Sequence, residues 1–338
     1  EVFDVFNVTG KTGLTGNSNF DLMMPAIERT NADGKFAFSG LTGSGTWSNS
    51  SRDMAMEASS EFLQADLAED NLSMSMKNLS VDLGVNLKNP ALGLGTSTFN
   101  LDNFSLSLHG DAPFAAQNAG FDTIVKMDES GERVDVSLVY RVDEVVAQGI
   151  TVSDATATFE IKGLTPAVLE QYQTVASNPI IDEAQIAAYM DLGYNALKSS
   201  PQLNIGPIKF KANDETFDGI MTVSVDGAAL PDSDNFNFAD VGMWMSVITQ
   251  SLDVRATEGL VNQAVDGYMM QQAMASPDAA AQLDAATMAQ QRGMMLEQLL
   301  AQGMITRDDN GYALDVDFNK GEMTVNGNPF PIEALLGP

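Results

Sequence analysis

The sequence predicts an α+β protein: a long curved antiparallel β-sheet, or sheets, with two helical insertions packed on the apolar face. Three observations carry this. Apolar and polar residues alternate with period two over about the first 160 of 338 residues, the pattern of strands with one dry and one wet face. Gly, Asn, Asp and Ser fill the gaps between runs, as short turns require. The period then lengthens to that of an amphipathic helix after Thr165 and again from Val241. Short turns between successive strands imply antiparallel pairing. A sheet so built covers its dry face with helices, a second sheet or a ligand. Length argues for two regions, at about 100–200 residues per domain. Residues 1–160 are β-rich; residues 161–338 are mixed, with helical insertions at about 165–198 and 241–302 and a C-terminal hairpin.

The chain opens on Glu1, Val2, Phe3, Asp4 and Val5, which alternate like the middle of a strand and read as part of a longer precursor. Short strands fit residues 35–39 and 53–57. Leu72, Met74 and Met76 alternate with serines in one run. Leu79, Val81, Leu83, Val85 and Leu87 form another, and Phe104, Leu106 and Leu108 a third. Two stretches look alike: residues 70–76 and 102–108 both read Asp-Asn-apolar-Ser-apolar-Ser-apolar. Two copies do not make a solenoid. A hairpin spans 123–142 with an acidic tip at 128–132, and a further strand runs from Ala155 to Gly163.

Thr165 and Pro166 read as an N-cap followed by proline in the first turn. The helix they open runs to about Ser177, before Pro179. A second helix spans 182–197, with Ile186, Tyr189, Met190 and Tyr194 on one side. Strands return at 203–211 and 219–225, and 230–240 is acidic and irregular. Residues 241–302 read as helical, broken near Ser276 and Pro277. Leu260, Val261, Ala264, Val265, Tyr268 and Met269 form one dry stripe; Met288, Met294, Met295, Leu299 and Leu300 form another. A terminal hairpin joins 312–318 to 322–327.

Composition excludes several functions. Seventeen Lys and Arg against forty-six Asp and Glu leave a net charge of −29. Nucleic-acid binding needs clustered basic residues, and adhesion to anionic headgroups needs the same sign. The 44% hydrophobic content fits a folded chain. There is no Cys and a single His, His109, so disulfides, thiol nucleophiles and sites needing two imidazoles are removed. No run of about 18 apolar residues is present to span a membrane as a helix.

Three blocks taken together resemble the YdgA family of bacterial envelope proteins, whose biochemical role is undefined. One is the strand 158–164, followed by the helix around Tyr172 and the Asn178–Pro179 break. The second is Ser200-Pro201-Gln202-Leu203-Asn204-Ile205-Gly206-Pro207-Ile208. The third comprises Gly303-Met304-Ile305, Gly311-Tyr312, Lys320-Gly321 and Thr324-Val325-Asn326-Gly327. The resemblance implies a periplasmic body held to the inner membrane by an N-terminal export signal or anchor. It implies no catalytic residues.

No residue cluster points to catalysis. His109 lies at a strand end without a nucleophile or orienting partner. The acidic clusters at 128–132, 232–240 and 308–311 lack calcium-loop spacing and read as solvated turns. The Gly-rich stretches at 40–45 and 93–95 have no phosphate-binding Lys. The nineteen Met residues stand out, because Met adapts to varied apolar partners. Ordinary core packing accounts for them. The sharper reading is an apolar groove formed by Met74, Met76, Phe104, Leu106, Leu108, Met243, Met245, Met269 and Met294. The function expected is therefore non-enzymatic, without cofactor or metal, and the groove would take a lipid acyl chain or an envelope protein. Two alternatives stand beside it: an interaction or scaffold module with a self-filled core, and a hydrolase using paired carboxylates.

Overall fold

The structure is a computed structural model. It describes residues 7–13, 16–68, 71–90, 92–109, 114–147, 149–177, 182–274 and 284–332. Among them are eighteen strands and five α-helices, and the pairings are antiparallel. The expected α+β class with long antiparallel sheet is what the structure has. The chain divides into two units between Leu203 and Asn204. The breaks expected near Pro179 and Pro277 lie outside the described residues, as do the opening residues 1–6, Asp70, Gly110 and Asp111.

The first unit begins with β1 (Asn7–Thr12), β2 (Ser18–Met24), β3 (Ile27–Asn31), β4 (Gly34–Phe38) and β5 (Leu41–Trp47). Six long strands follow: β6 (Asp53–Leu67), β7 (Leu72–Asn86), β8 (Leu94–Leu108), β9 (Phe114–Met127), β10 (Val134–Ala147) and β11 (Ile150–Leu164). Each pairs with its sequence neighbour, so β6 to β11 form a meander. β6 also takes β5 along its first half and β4 along its second. β2 adds to β5, and β1 to β2. At the β2–β5 pair Phe20 lies opposite Gly45, and a Cβ on Gly45 would sit 2.2 Å from its ring. Of the 40–45 glycines, Gly45 thus makes room for an aromatic ring, while Gly40 and Gly43 lie close to neighbouring backbone.

The two expected runs at 72–76 and 79–87 are one strand, β7. Between them Asn78 adopts a left-handed backbone, φ +52°. Side chains alternate faces along a strand, so an uninterrupted strand would send positions 72, 74, 76 and positions 79, 81, 83, 85 to opposite sides. The backbone breaks where the apolar phase breaks. The same event recurs at one level across the meander. Ladder pairing skips Glu61 opposite Asn78, Asn78 opposite Asp102, and Asp102 opposite Asn118. It also skips Asn118 opposite Asp143, and Asp143 opposite Asp154. Asn118 (φ +48°) and Asp154 (φ +52°) are left-handed too, which Asn and Asp tolerate better than most residues. Asn78 Nδ2 donates to Asp102 at 2.9 Å and Asn118 Nδ2 to Asp143 at 2.7 Å.

The look-alike stretches turn out to be neighbours. Leu72 faces Leu108, Met74 faces Leu106 and Met76 faces Phe104, with Ser73 on Ser107 and Ser75 on Ser105. Identical apolar–Ser alternation satisfies both strands at once.

Helix α1 (Pro166–Ala176) starts after Thr165, whose side chain makes no capping bond. Helix α2 (Glu183–Lys198) is capped by Asp182, which accepts from the Gln185 N–H at 2.8 Å. Gln185 is buried and its Nε2 donates to the Val175 carbonyl, tying the helices together. Asn89 donates to Glu170 at 2.8 Å and so fixes α1 to the turn after β7.

β12 (Gln202–Ala212) begins just before the division and continues into the second unit, which also contains β13 (Glu215–Val225), β14 (Ile248–Ala256), β15 (Thr306–Asp308), β16 (Gly311–Asn319), β17 (Glu322–Val325) and β18 (Asn328–Phe330). β14 lies between β13 and β16; β17 extends β16, and β18 extends β17. The helices are α3 (Val241–Val247), α4 (Glu258–Met274) and α5 (Ala285–Ala301). The expectation of helix throughout 241–302 is corrected here, because β14 interrupts it. Ile248, Gln250, Leu252, Val254 and Ala256 alternate with Thr249, Ser251, Asp253 and Arg255, and ladders on both edges outweigh the weak helical reading. The acidic stretch before α3 forms an aromatic cluster. Phe236 and Phe238 meet edge-to-face at 4.6 Å, and Trp244 Nε1 donates to the Phe238 carbonyl at 2.8 Å. Arg292 of α5 pairs with Asp266 of α4 at 2.5 Å.

Four aspartates are held below the usual carboxylate range. Asp53 receives hydrogen bonds from the Ser51 and Asn86 side chains. Asp128 receives one from Ser130, Asp226 one from Lys320, and Asp284 one from the Thr287 N–H. A carboxyl whose folded pKa is depressed stabilises the fold above its unfolded pKa of about 3.9, and that stabilisation fades as pH falls through the folded value. The urea midpoint will therefore hold between pH 7 and pH 5 and drop below about pH 4. Asp226→Asn will flatten part of that drop, read as a smaller difference between its midpoints at pH 7 and pH 3.

Candidate functional site

Cross-strand register sorts the meander into rows, because directly opposed residues share a face. One row runs Met54, Val85, Gly95, Val125, Val136, Ile161. The next runs Met56, Leu83, Ser97, Thr123, Leu138, Phe159, and a third Ala58, Val81, Phe99, Phe121, Tyr140, Ala157. None of these rows carries a charged residue.

Four rings on this face touch in sequence across β8, β9, β10 and β11. Phe99 stacks on Phe121 at 5.3 Å, Phe121 meets Tyr140 at 6.1 Å, and Tyr140 meets Phe159 edge-on at 5.9 Å. The strip is open to solvent: Phe121 and Phe159 are 36% exposed and Tyr140 44%. Exposed contiguous apolar surface of this kind marks an interaction site.

Below the row of skipped pairs lies a second apolar group. Met76 faces Leu63 and Phe104, Met74 faces Ala65 and Leu106, and Leu106 faces Phe114. Phe104 and Phe114 meet edge-to-face at 5.9 Å. Five of the nine residues expected to form a groove, Met74, Met76, Phe104, Leu106 and Leu108, are thus brought together. The other four lie in the second unit. Met243 and Met245 sit on α3 and Met269 is buried on α4, whereas Met294 on α5 is exposed. The aromatic strip was missed in the sequence reading. Its signal is recoverable only after the hairpins are put in register, since Phe99, Phe121, Tyr140 and Phe159 are each just one member of an alternating run.

The opposite face is polar. Its rows include Ser44, Glu57, Asp82, Thr98, Asp122 and Val139. Asp122 pairs with Arg141, which also donates to Asn100 at 2.6 Å. A shallow trough of about 380 Å³ on this face is lined by Ser44, Thr46, Glu57, Asp82, Thr96 and Thr98 among others. Glu57 and Asp82 stand directly opposite each other there, and Ser44 donates to Glu57 at 3.1 Å. Asp253 of β14 and Asp315 of β16 are a second pair of directly opposed acids, in the second unit.

His109 is exposed at the end of β8, with φ +53°, and its N–H donates to the Asn71 carbonyl at 3.0 Å. The acidic turns are held by their own backbone: Asp308 accepts from the N–H groups of Asn310 at 2.7 Å and Gly311 at 3.0 Å. Among the described residues no group of three or more His, Asp or Glu side chains is placed to hold a metal ion. No helix of the described residues is long and apolar enough to cross a membrane. On α1 and α2, Tyr172, Ile186, Tyr189 and Met190 are exposed, so three of the four members of the expected dry stripe of α2 face solvent and Tyr194 is half-buried.

Fold and site together define a protein built on an amphipathic antiparallel meander, apolar and aromatic on one face and polar on the other. The chain belongs to a family described as bacterial protein of unknown function (DUF945), whose family model matches residues 3–333. No curated protein and no solved structure matches it.

Proposed function

We propose that this is a non-enzymatic envelope protein, YdgA-like, periplasmic and anchored to the inner membrane, whose first unit binds a lipid acyl chain along its apolar sheet face. The observation that carries the reading is the solvent-open strip Phe99–Phe121–Tyr140–Phe159. It is one ring wide, crosses four strands and is free of charge, which suits a linear hydrocarbon. Each methylene it removes from water contributes about 0.8 kcal/mol. The net charge of −29 disfavours adhesion to headgroups, so recognition falls on the chain.

Native mass spectrometry of protein purified from bacterial envelopes, with titration of laurate, tests this. Co-purified lipid or saturable laurate binding is expected. Protein that carries none and takes up no laurate removes the acyl reading. One separate feature favours an interaction module instead, the exposed Tyr172, Ile186, Tyr189 and Met190 of α1 and α2. On that reading Tyr189→Ser abolishes partner capture while laurate uptake, if any, is unchanged.

A further inference from the structure

We infer that two copies of this chain pair face to face through the apolar side of the meander and close the aromatic strip between them. A sheet with one dry face buries it against another layer. The helices of the first unit are tied to the tips of the meander instead: Gln173 donates to the Pro90 carbonyl at 3.3 Å and Arg133 to the Ser199 carbonyl at 2.7 Å. The middle of the face is open. Phe121, Tyr140, Phe159 and Ile161 are exposed, and Leu83, Val85, Val125 and Leu138 are only half-buried.

Size, shape and charge all fit a second copy. β5 and β2 carry the three uncharged rows two strands further, through Trp47 and Ser18, Gly45 and Phe20, and Gly43 and Leu22. A fourth uncharged row runs through Ser60, Leu79, Leu101 and Ala119. Eight strands about 4.8 Å apart and four rows of alternate residues, at about 3.3 Å per residue, make a patch of roughly 900 Å². A stable dimer needs about 800 Å² from each partner. The third row is bulky on one half and low on the other. β8, β9 and β10 carry Phe99, Phe121 and Tyr140 there, and β7, β6 and β5 carry Val81, Ala58 and Gly43. A two-fold axis parallel to the strands, between β7 and β8, sets each bulky half on the low half of the other copy. The opposite side of these strands carries Asp21, Glu57, Asp82 and Asp122 in one row. Sheets stacked about 10 Å apart turn both such rows outward, beyond the screening length of about 8 Å at physiological salt. That the seam holds an acyl chain rests on the acyl-chain reading; the pairing does not.

Sedimentation equilibrium of the chain is expected to give twice the monomer mass. Tyr140→Glu is expected to sediment as a monomer, because it buries a carboxylate in the seam, and Asp82→Asn, on the outer side, as a dimer. The chain has no Cys, so a short bismaleimide reports contact only where a Cys is placed. Ser97→Cys, on the apolar side next to the axis, is expected to crosslink one copy to the other, and Thr98→Cys, the following residue on the outer side, is not. A monomer, with its face bare or filled by co-purified lipid, overturns the pairing. So does a dimer in which Ser97→Cys crosslinks no better than Thr98→Cys. A monomer that takes up laurate leaves the acyl-chain reading standing, and a Ser97-crosslinked dimer that takes up none supports the pairing and counts against that reading alone.

Discussion

Gly95→Ala is expected to destabilise the first unit by about 3–5 kcal/mol, the largest loss from any single methyl group on the meander. Gly95 has φ +149°, a region that L side chains rarely adopt, and a Cβ there would lie 2.0 Å from the Gly84 carbonyl oxygen and 2.7 Å from the Val85 Cα. Those obstacles are backbone atoms of the neighbouring strand, so β7 would have to move. Gly131→Ala is the matched control. It has φ +73° with nothing near the new atom, so it meets only the left-handed penalty of about 1–2 kcal/mol. Trp47 lies in the first unit and Trp244 in the second, and they are the two tryptophans of the chain. Urea unfolding followed by Trp47 fluorescence in a Trp244→Phe background reads the first unit by itself. Equal midpoints for the two glycine variants would refute the argument.

Tyr140→Glu is expected to reduce laurate affinity at least tenfold while changing stability by less than about 1 kcal/mol. Tyr140 is 44% exposed, so little of the fold depends on it. Its ring joins Phe121 to Phe159, so a carboxylate here would be covered by hydrocarbon in the middle of the strip. An ion desolvated without a partner costs several kcal/mol, and 1.4 kcal/mol is a factor of ten in affinity. Tyr140→Phe keeps the ring and should bind like the wild type. Isothermal titration of both variants separates loss of the strip from loss of one hydroxyl. Undiminished binding by Tyr140→Glu would place the chain elsewhere.

Much of this architecture can be read from residues. Period-two runs separated by Gly, Asn and Asp announce the meander, and Pro166 after Thr165 marks the first helix. The phase change at Lys77 and Asn78 is visible too. It reads as two short strands because nothing local says that Asn78 will turn left-handed and let pairing resume. β14 was hidden by its neighbours: apolar helical stripes on both sides drown a nine-residue alternation whose stability comes from two distant strands. The site was half legible. Met74, Met76 and Phe104 declare themselves by alternation within single strands. The aromatic strip depends on register across three hairpins, a property of pairs of strands and not of any one of them.

The transverse row also constrains how this chain can change length. A single-residue insertion between the row and a hairpin tip would turn part of one strand inside out, exchanging its oily and watery sides while its neighbours stayed as they were. Only even-numbered insertions, matched on both arms of a hairpin, leave every arm in step. Among natural relatives the meander should therefore grow or shrink by whole rungs at its tips, with the distance from each tip to the Asn–Asp line changing in pairs of arms.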